Sequence, residues 1–479
     1  MNDHQTQTLQ DWQRREALAE AIVPLTGRLY REQAVVPEVL GTSLVGKPPT
    51  AILRIHDEAS GKAGQPVRLA STHALLQAMV ERELGRARVD VGKLVLRGTE
   101  ARPDAPVAWA IEQLAGIGRA EAPLPRHAQD VVLYGFGRIG RLLARILISK
   151  TGGGDKFRLR AVVLRPGSKE HLERRASLFQ RDSVHGTFEG SVTVDAERDA
   201  LVINGNVVQI IYANDPSEID YTAYGIDDAV VIDNTGKWRD DAALRSHLVK
   251  GASRVLLTAP GKGVPNIVYG VNHATLPEGA QVVSAASCTT NAIVPVLSTL
   301  DEHFGIEHGH LETVHAYTND QNLIDNFHKK DRRGRGAPLN LVITSTGAAT
   351  AAAKALPQLE GKLTGSAIRV PTPNVSLAIL HLQLGKETTR DGLNEHFRQQ
   401  ALDSALSRQI GVSTSPETVS SDLVGNPYAG IIDTVATIVT GSRAVVYVWY
   451  DNEFGYSCQV VRLLQHMAGV TPRRFPPLR

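Results

Sequence analysis

The chain has 479 residues, 42% of them hydrophobic, with 52 basic against 50 acidic side chains and a net charge of +2. That length implies roughly two to four domains, and the balanced charge argues against a dedicated nucleic-acid or membrane-surface binder. Two cysteines exclude a disulfide framework. With a polar N-terminus lacking an apolar leader and no apolar run of bilayer length, they give the cytosol as the expected location.

Residues 1 to about 120 read as mostly helical. Leu18, Ala21, Ile22, Leu25 and Leu29 share one helical face, with Pro24 expected to kink or divide that helix. Leu75, Leu76, Met79, Val80 and Leu84 form a second stripe, which Ser71 or Thr72 can cap and Gly85 can end. Val107, Ile111 and Leu114 suggest a third, between Asp104 and Gly116. Residues 117–129 read as a linker.

A strand–turn–helix–strand unit follows. Val131 to Tyr134 is an apolar strand. Gly135-Phe136-Gly137-Arg138-Ile139-Gly140 is the turn, and Ile139, Leu142, Leu143, Ile146 and Leu147 lie on the helix after it. Such a G-x-G-x-x-G in that setting is a dinucleotide fingerprint. Gly135 allows the tight turn, Gly137 lets backbone approach a pyrophosphate, and Gly140 allows close helix–strand packing. The second strand, Leu159 to Leu164, ends in Arg165-Pro166-Gly167-Ser168-Lys169, where NAD-binding units carry an acid for the ribose 2′-OH. A cation there suits a 2′-phosphate, so NADP or dual use is favoured over strict NAD. The alternative has Arg165 lying over the adenine or in solvent.

Cys288 stands in Ser287-Cys288-Thr289-Thr290-Asn291, ahead of a helical stripe of Ile293, Val296, Leu297 and Leu300. Free N–H groups and the macrodipole at a helix N-terminus favour thiolate. His315 lies in a strand-like run, Leu311 to Tyr317, and is a candidate base or ion-pair partner. Further strand-like runs are Ile368 to Leu384 and Ala444 to Tyr450, and a final helical stripe carries Val460, Val461, Leu464 and Met467.

Residues from about 130 to 470 resemble the phosphorylating glyceraldehyde-3-phosphate dehydrogenase family. The motifs, in order, are YGFGRIGR at Tyr134–Arg141, DSVHG at Asp182–Gly186, TAPG at Thr258–Gly261, and ASCTTN at Ala286–Asn291. The His315 segment, TSTGAA at Thr344–Ala349, RVPTPN at Arg369–Asn374 and WYDNE at Trp449–Glu453 complete the set. The resemblance implies an α/β fold: a doubly wound Rossmann nucleotide domain at 126–287, completed by 451–479, and an α+β catalytic domain at 288–450. Both would follow a mostly helical extension and linker at 1–125. It implies that Cys288 attacks the aldehyde and that His315, 27 positions later, takes the hydroxyl proton. The thioacyl enzyme would then pass to inorganic phosphate.

Arg369, Thr318, Asp320 and Arg333 match the family's substrate-phosphate region. Ser287, Thr289, Thr346 and Gly347 match the region for attacking phosphate. Thr258 belongs with the cofactor set, Asn452 matches the residue binding the nicotinamide carboxamide, and Tyr456 would pack near that ring. No metal is implied. The resemblance further implies a homotetramer in which the basic run His328–Arg335 lines a neighbour's cofactor site, rather than holding RNA.

The chain departs from the pattern at Ala292, where the family has a second cysteine. It departs again at Arg165, at Asn326-Phe327 in place of Leu-Pro before the basic loop, and in the added N-terminal segment. That segment is either an assembly or regulatory module or an inert appendage. A relative acting on erythrose 4-phosphate, using water to resolve the thioacyl enzyme, is the nearest alternative. A non-catalytic nucleotide- or RNA-binding regulator is a more distant one.

Overall fold

The computed structural model describes residues 3–118, 128–150, 157–166 and 171–477. Most of the expected linker, and Gly167, Ser168 and Lys169, lie outside the described residues. Within them no helix is long and apolar enough to cross a membrane.

The nucleotide-binding unit is built on an eight-stranded sheet. Its strands run in the order Val282–Ser284, Ala252–Leu257, Ala229–Asp233, Gln129–Tyr134, Phe157–Leu164, Asn206–Tyr212, Ala200–Ile203 and Val192–Asp195. The first six are parallel, and the last two are added through antiparallel pairings. Val131, Val132 and Leu133 are fully buried, as the unbroken apolar run requires of a strand covered on both faces. Gln129–Tyr134 has Phe157–Leu164 on one side and Ala229–Asp233 on the other. Strand order reverses there, and a crevice opens beyond the strands' carboxyl ends. The helices Arg138–Lys150 and Phe454–Met467 share one apolar core with this sheet.

A second eight-stranded sheet follows, mixed in direction, with Ile306–Ala316 at its centre. That strand lies parallel to Leu363–Val370 and antiparallel to Ser376–Leu384. The helices Cys288–Phe304, Ala348–Ala355 and Arg390–Asp403 cover its apolar face. The expected single run from Ile368 to Leu384 is in fact two strands. Pro371 and Pro373 interrupt it, because neither can donate to a ladder, and Val375 adopts a left-handed φ of 64°.

The N-terminal segment contains the helices Asp3–Gln33, Pro49–Ala63, Leu69–Val80, Val91–Ala101 and Pro106–Gln113. Pro24 does not divide the first. It faces solvent while Ile22 and Leu29 anchor the helix on either side of it. The second stripe begins at Leu69 and ends at Val80, not at Ser71 or Thr72 and Gly85. Thr72 instead lies buried, its hydroxyl 2.9 Å from His56 Nε2. A four-stranded sheet also forms, in the order Thr42–Ser43, Val35–Val39, Ala87–Asp90 and Arg473–Phe475. The last strand comes from the chain's C-terminus. Val460 to Val470 stays with the nucleotide core, but Phe475 joins the core of the N-terminal segment.

Candidate active site

The helix Cys288–Phe304 places its first residue at the junction of the two large sheets. Ser287 caps it, its Oγ accepting from Thr290 N at 3.0 Å. Asn291 donates to Ala285 O at 2.8 Å and Ser287 O at 2.9 Å, tying the loop to the helix. Ala286 takes a φ of 55°, a local strain for a residue with a side chain. Cys288 Sγ lies 3.4 Å from His315 Nε2. His315 is 6% exposed, and strand register sets Arg369 directly beside it.

The imidazole is held neutral. Its Nδ1 is 2.7 Å from Ala316 O and 2.6 Å from Arg369 Nη1, which itself donates to Ala316 O at 2.8 Å. One nitrogen cannot donate to the carbonyl and also accept from the guanidinium. A proton on Nδ1, directed to Ala316 O, leaves Nε2 free to accept from the thiol, so the guanidinium is a close cationic neighbour. Burial, then Arg369, push His315 down to about 3.

The sulfur differs from expectation. Cys288 keeps a partial opening to the cleft, yet burial pushes its thiol up. Arg369 opposes this first, followed by the Thr289 hydroxyl and the backbone N–H groups of Thr289 and Cys288. The helix N-terminus thus acts in the expected direction but is outweighed by desolvation. The resting pair is thiol beside neutral imidazole, and ionising the sulfur means moving its proton onto Nε2. Replacing Arg369 by Leu is expected to raise the His315 titration midpoint from near 3 toward the ordinary imidazole value. Imidazole nitrogen NMR reads this directly, and a midpoint that stays put or falls would remove Arg369 from the account.

Of the other residues matched to phosphate sites, Ser287, Thr318 and Arg369 line the same cavity of about 450 Å³ as Cys288 and His315. Thr289 does not present its hydroxyl freely, because it lies 2.9 Å from Tyr450 OH in the interior. Asp320 accepts from Thr318 Oγ1 and from Arg333 Nη1 at 3.0 Å. A carboxylate would repel phosphate, and here it anchors the loop and orients Arg333, whose Nε donates to Thr344 Oγ1 at 3.1 Å. Thr346 and Gly347 open the helix Ala348–Ala355 and do not line this cavity.

The glycine turn has the geometry a dinucleotide needs. Gly135 has φ 97°. A Cβ on Gly137 would meet nothing within 4 Å, so a phosphate can approach the backbone there. A Cβ on Gly140 would sit 2.4 Å from Gly135 O. Gly140→Ala is therefore expected to cost about 1–3 kcal/mol of stability and to weaken NAD binding. Denaturant unfolding and cofactor titration check both, and an unshifted midpoint would contradict the crowding.

Gly135, Phe136, Gly137 and Arg165 line a cavity of about 290 Å³ at the adenosine end of the cleft. Arg138, Ile139, Thr258, Asn452 and Tyr456 line the larger cavity beside Cys288, and Gly137 and Thr235 line both. Phe136 stacks on Phe179 with ring centroids 6.0 Å apart. Arg138 is committed to Glu453 and Asp182, and His185 reaches Glu453 at 2.9 Å, so the DSVHG motif clamps the nucleotide turn to the Asn452 segment. Asn452 Oδ1 accepts from Ser376 Oγ at 2.8 Å, which fixes the orientation of its amide. Tyr456 OH donates to Ala286 O at 2.9 Å. These features fit a nicotinamide dinucleotide.

Sequence reasoning missed Thr235, whose N–H and hydroxyl each donate to Asp233 Oδ1 at 2.7 Å. Its signal was Asn234-Thr235-Gly236 following an apolar strand. Arg175, Asn214 and Lys237 at the adenosine end, and Asn319 beside Cys288, were also missed. Among the described residues no group of three or more His, Cys, Asp or Glu could hold a metal ion.

Two family models match the chain. The NAD binding domain of glyceraldehyde 3-phosphate dehydrogenase matches residues 129–241, and the C-terminal domain of the same enzyme matches residues 287–452. A glyceraldehyde-3-phosphate dehydrogenase-like protein of Pseudomonas aeruginosa (strain UCBPP-PA14) is 56% identical over 95% of this chain and 100% of its own length. That match takes in the N-terminal segment. Glyceraldehyde-3-phosphate dehydrogenase 2 of Bacillus subtilis (strain 168) is 42% identical over 71% of this chain and 96% of its own. With the fold and the cleft described above, these likenesses establish that the chain belongs to the glyceraldehyde-3-phosphate dehydrogenase family of oxidoreductases and carries its NAD-binding domain.

Proposed function

We propose that this protein oxidises D-glyceraldehyde 3-phosphate, with inorganic phosphate, to 1,3-bisphosphoglycerate, reversibly and with NAD(P)+. The observation carrying this reading is the Cys288 thiol 3.4 Å from a neutral His315 Nε2 at the mouth of a dinucleotide cleft. His315 takes the thiol proton as Sγ bonds to the aldehyde carbon and returns it to the carbonyl oxygen, giving a hemithioacetal. His315 then accepts the hemithioacetal hydroxyl proton as the carbon is oxidised to a thioester. The nicotinamide, when bound, supplies the hydride acceptor. Phosphate oxygen attacks the thioester carbon, the C–S bond breaks, and the sulfur regains a proton through His315. Arg369 offers charge to a phosphate or a developing oxyanion, and Ser287 and Thr318 offer hydroxyls.

The adenosine end favours NADP or dual use. Its lining holds Arg165, Arg175 and Lys237 and no carboxylate. Arg175 Nε is buried without a hydrogen-bond partner, which suits a 2′-phosphate. Self-association as a homotetramer is supported by Leu323, Ile324, Phe327, Leu339, Leu341 and Ile343, large apolar residues exposed in and beside the basic loop. The low cysteine count favours a cytoplasmic location.

Steady-state kinetics with glyceraldehyde 3-phosphate and erythrose 4-phosphate, each with and without phosphate and with both cofactors, tests the reading. NAD(P)H formation from glyceraldehyde 3-phosphate should require phosphate. Phosphate-independent turnover of erythrose 4-phosphate would replace the proposal with the hydrolytic alternative.

A further inference from the structure

The small sheet of the N-terminal segment has two unlike faces. Val35, Val39, Ala87, Val89 and Phe475 belong to the apolar core under its helices. Side chains alternate along a strand, so Glu38, Arg88, Asp90 and Arg474 lie on the opposite face. That face is covered, with Glu38 4%, Arg88 5% and Asp90 6% exposed. Arg408, just before the strand Ile410–Ser413, and Arg462, on the helix Phe454–Met467, reach it from the enzyme core and act on the same charges.

The charges do not balance. Arg88 and Arg474 are direct partners in the parallel register, a like-charge pair on a covered face. Glu38 Oε1 is spent on Arg88, 2.7 Å from Nε and 2.5 Å from Nη2. Asp90 is committed to the N–H groups of Leu40, Gly41 and Lys93. Arg462 donates to Gln459 Oε1 at 2.8 Å and to Arg408 O. Arg408 Nε has no hydrogen-bond partner, and neither amide atom of Gln409, a residue only 1% exposed, has one. Gln409 abuts Gly270, whose neighbour Tyr269 acts on Arg474. Burial holds Arg408 well below the usual guanidinium value and Arg462 at about 10. Three guanidiniums, those of Arg88, Arg408 and Arg474, thus act on the Glu38 carboxylate, with Arg462 near Arg88 and Arg474, and charge removed from water is offset only by a well-placed partner.

We infer that this junction binds a multivalent oxyanion of the phosphate class, seated on Arg408 and Arg474 with Arg88 and Arg462 behind them, which clamps the N-terminal segment and the C-terminal strand to the enzyme core. Arg408 and Arg474 are only half-buried, so solvent reaches the seat from their side. Planar guanidiniums pair bidentately with phosphate oxygens. The site is built from residues that take no part in the catalytic cleft.

The test uses the full-length protein saturated with NAD+, titrated calorimetrically with pyrophosphate, inorganic phosphate and a sugar bisphosphate. Wild type is compared with Arg474→Gln and Arg369→Leu. Binding at the junction should survive Arg369→Leu and weaken at least tenfold in Arg474→Gln, and sodium chloride at matched ionic strength should not compete equally. The strongest of the three anions identifies the source. Should Arg474→Gln fail to fold, amide exchange in the wild type keeps the inference testable, because residues 87–90 and 473–475 should exchange more slowly with anion present. Equal affinity in Arg474→Gln, no saturable binding beyond the active site, or unchanged exchange overturns it.

Discussion

Replacing Cys288 by Ala is expected to lower turnover with glyceraldehyde 3-phosphate by a factor on the order of 10⁴ or more, while the protein still binds its dinucleotide. The size follows from the geometry. Cys288 is the one thiol in the cleft, and Cys458, the other cysteine, lies in the C-terminal helix with burial pushing it up to about 11. No second nucleophile is placed to form a thioester, and His315, Arg369 and the hydroxyls have nothing to act on without one. Cofactor affinity should persist because the glycine turn, Thr235 and Asn452 do not hang on the sulfur. The measurement pairs steady-state rates with a fluorescence titration of the cofactor. Activity retained at a hundredth of wild type would remove Cys288 from its role.

Local signals make the centre of the site legible in the sequence. Gly135, Gly137 and Gly140 stand at fixed offsets on one turn, and Ser287 and Cys288 on one helix start. Their chemistry depends on neighbours in sequence. His315 and Arg369 are 54 positions apart, yet adjacent strands bring them together, and only likeness to a family linked them. The thiol departs from expectation for a physical reason. A helix N-terminus is visible in sequence, but the depth of the cleft that desolvates the sulfur is not. Asp320 and Thr289 show the converse, polar residues at matching positions whose atoms are committed to anchoring contacts. The small N-terminal sheet escaped notice because Val35–Val39 contains a proline and Ala87–Asp90 has two charges in four residues. Its fourth strand comes from the opposite end of the chain, a pairing no local pattern encodes.

The adenosine end gives the second large effect. Arg165→Asp should move the NADP/NAD preference toward NAD by about 1–3 kcal/mol, the usual worth of a hydrogen bond to a charged group. The new carboxylate would accept from the ribose 2′-OH and repel a 2′-phosphate, so both cofactors respond, in opposite directions. Arg175 and Lys237 line the same cavity, and their remaining charge would keep NADP from being rejected outright. Arg175→Gln separates the contributions. If Arg175 meets the 2′-phosphate, its loss raises the KM for NADP and leaves that for NAD nearly unchanged, because NAD has no group there to lose. Were Arg165 instead to lie over the adenine, Arg165→Asp would weaken both cofactors alike and the ratio of kcat/KM values would hold constant. The ratio therefore reads the 2′ position and the common loss reads the ring, from one set of kinetic measurements on each variant.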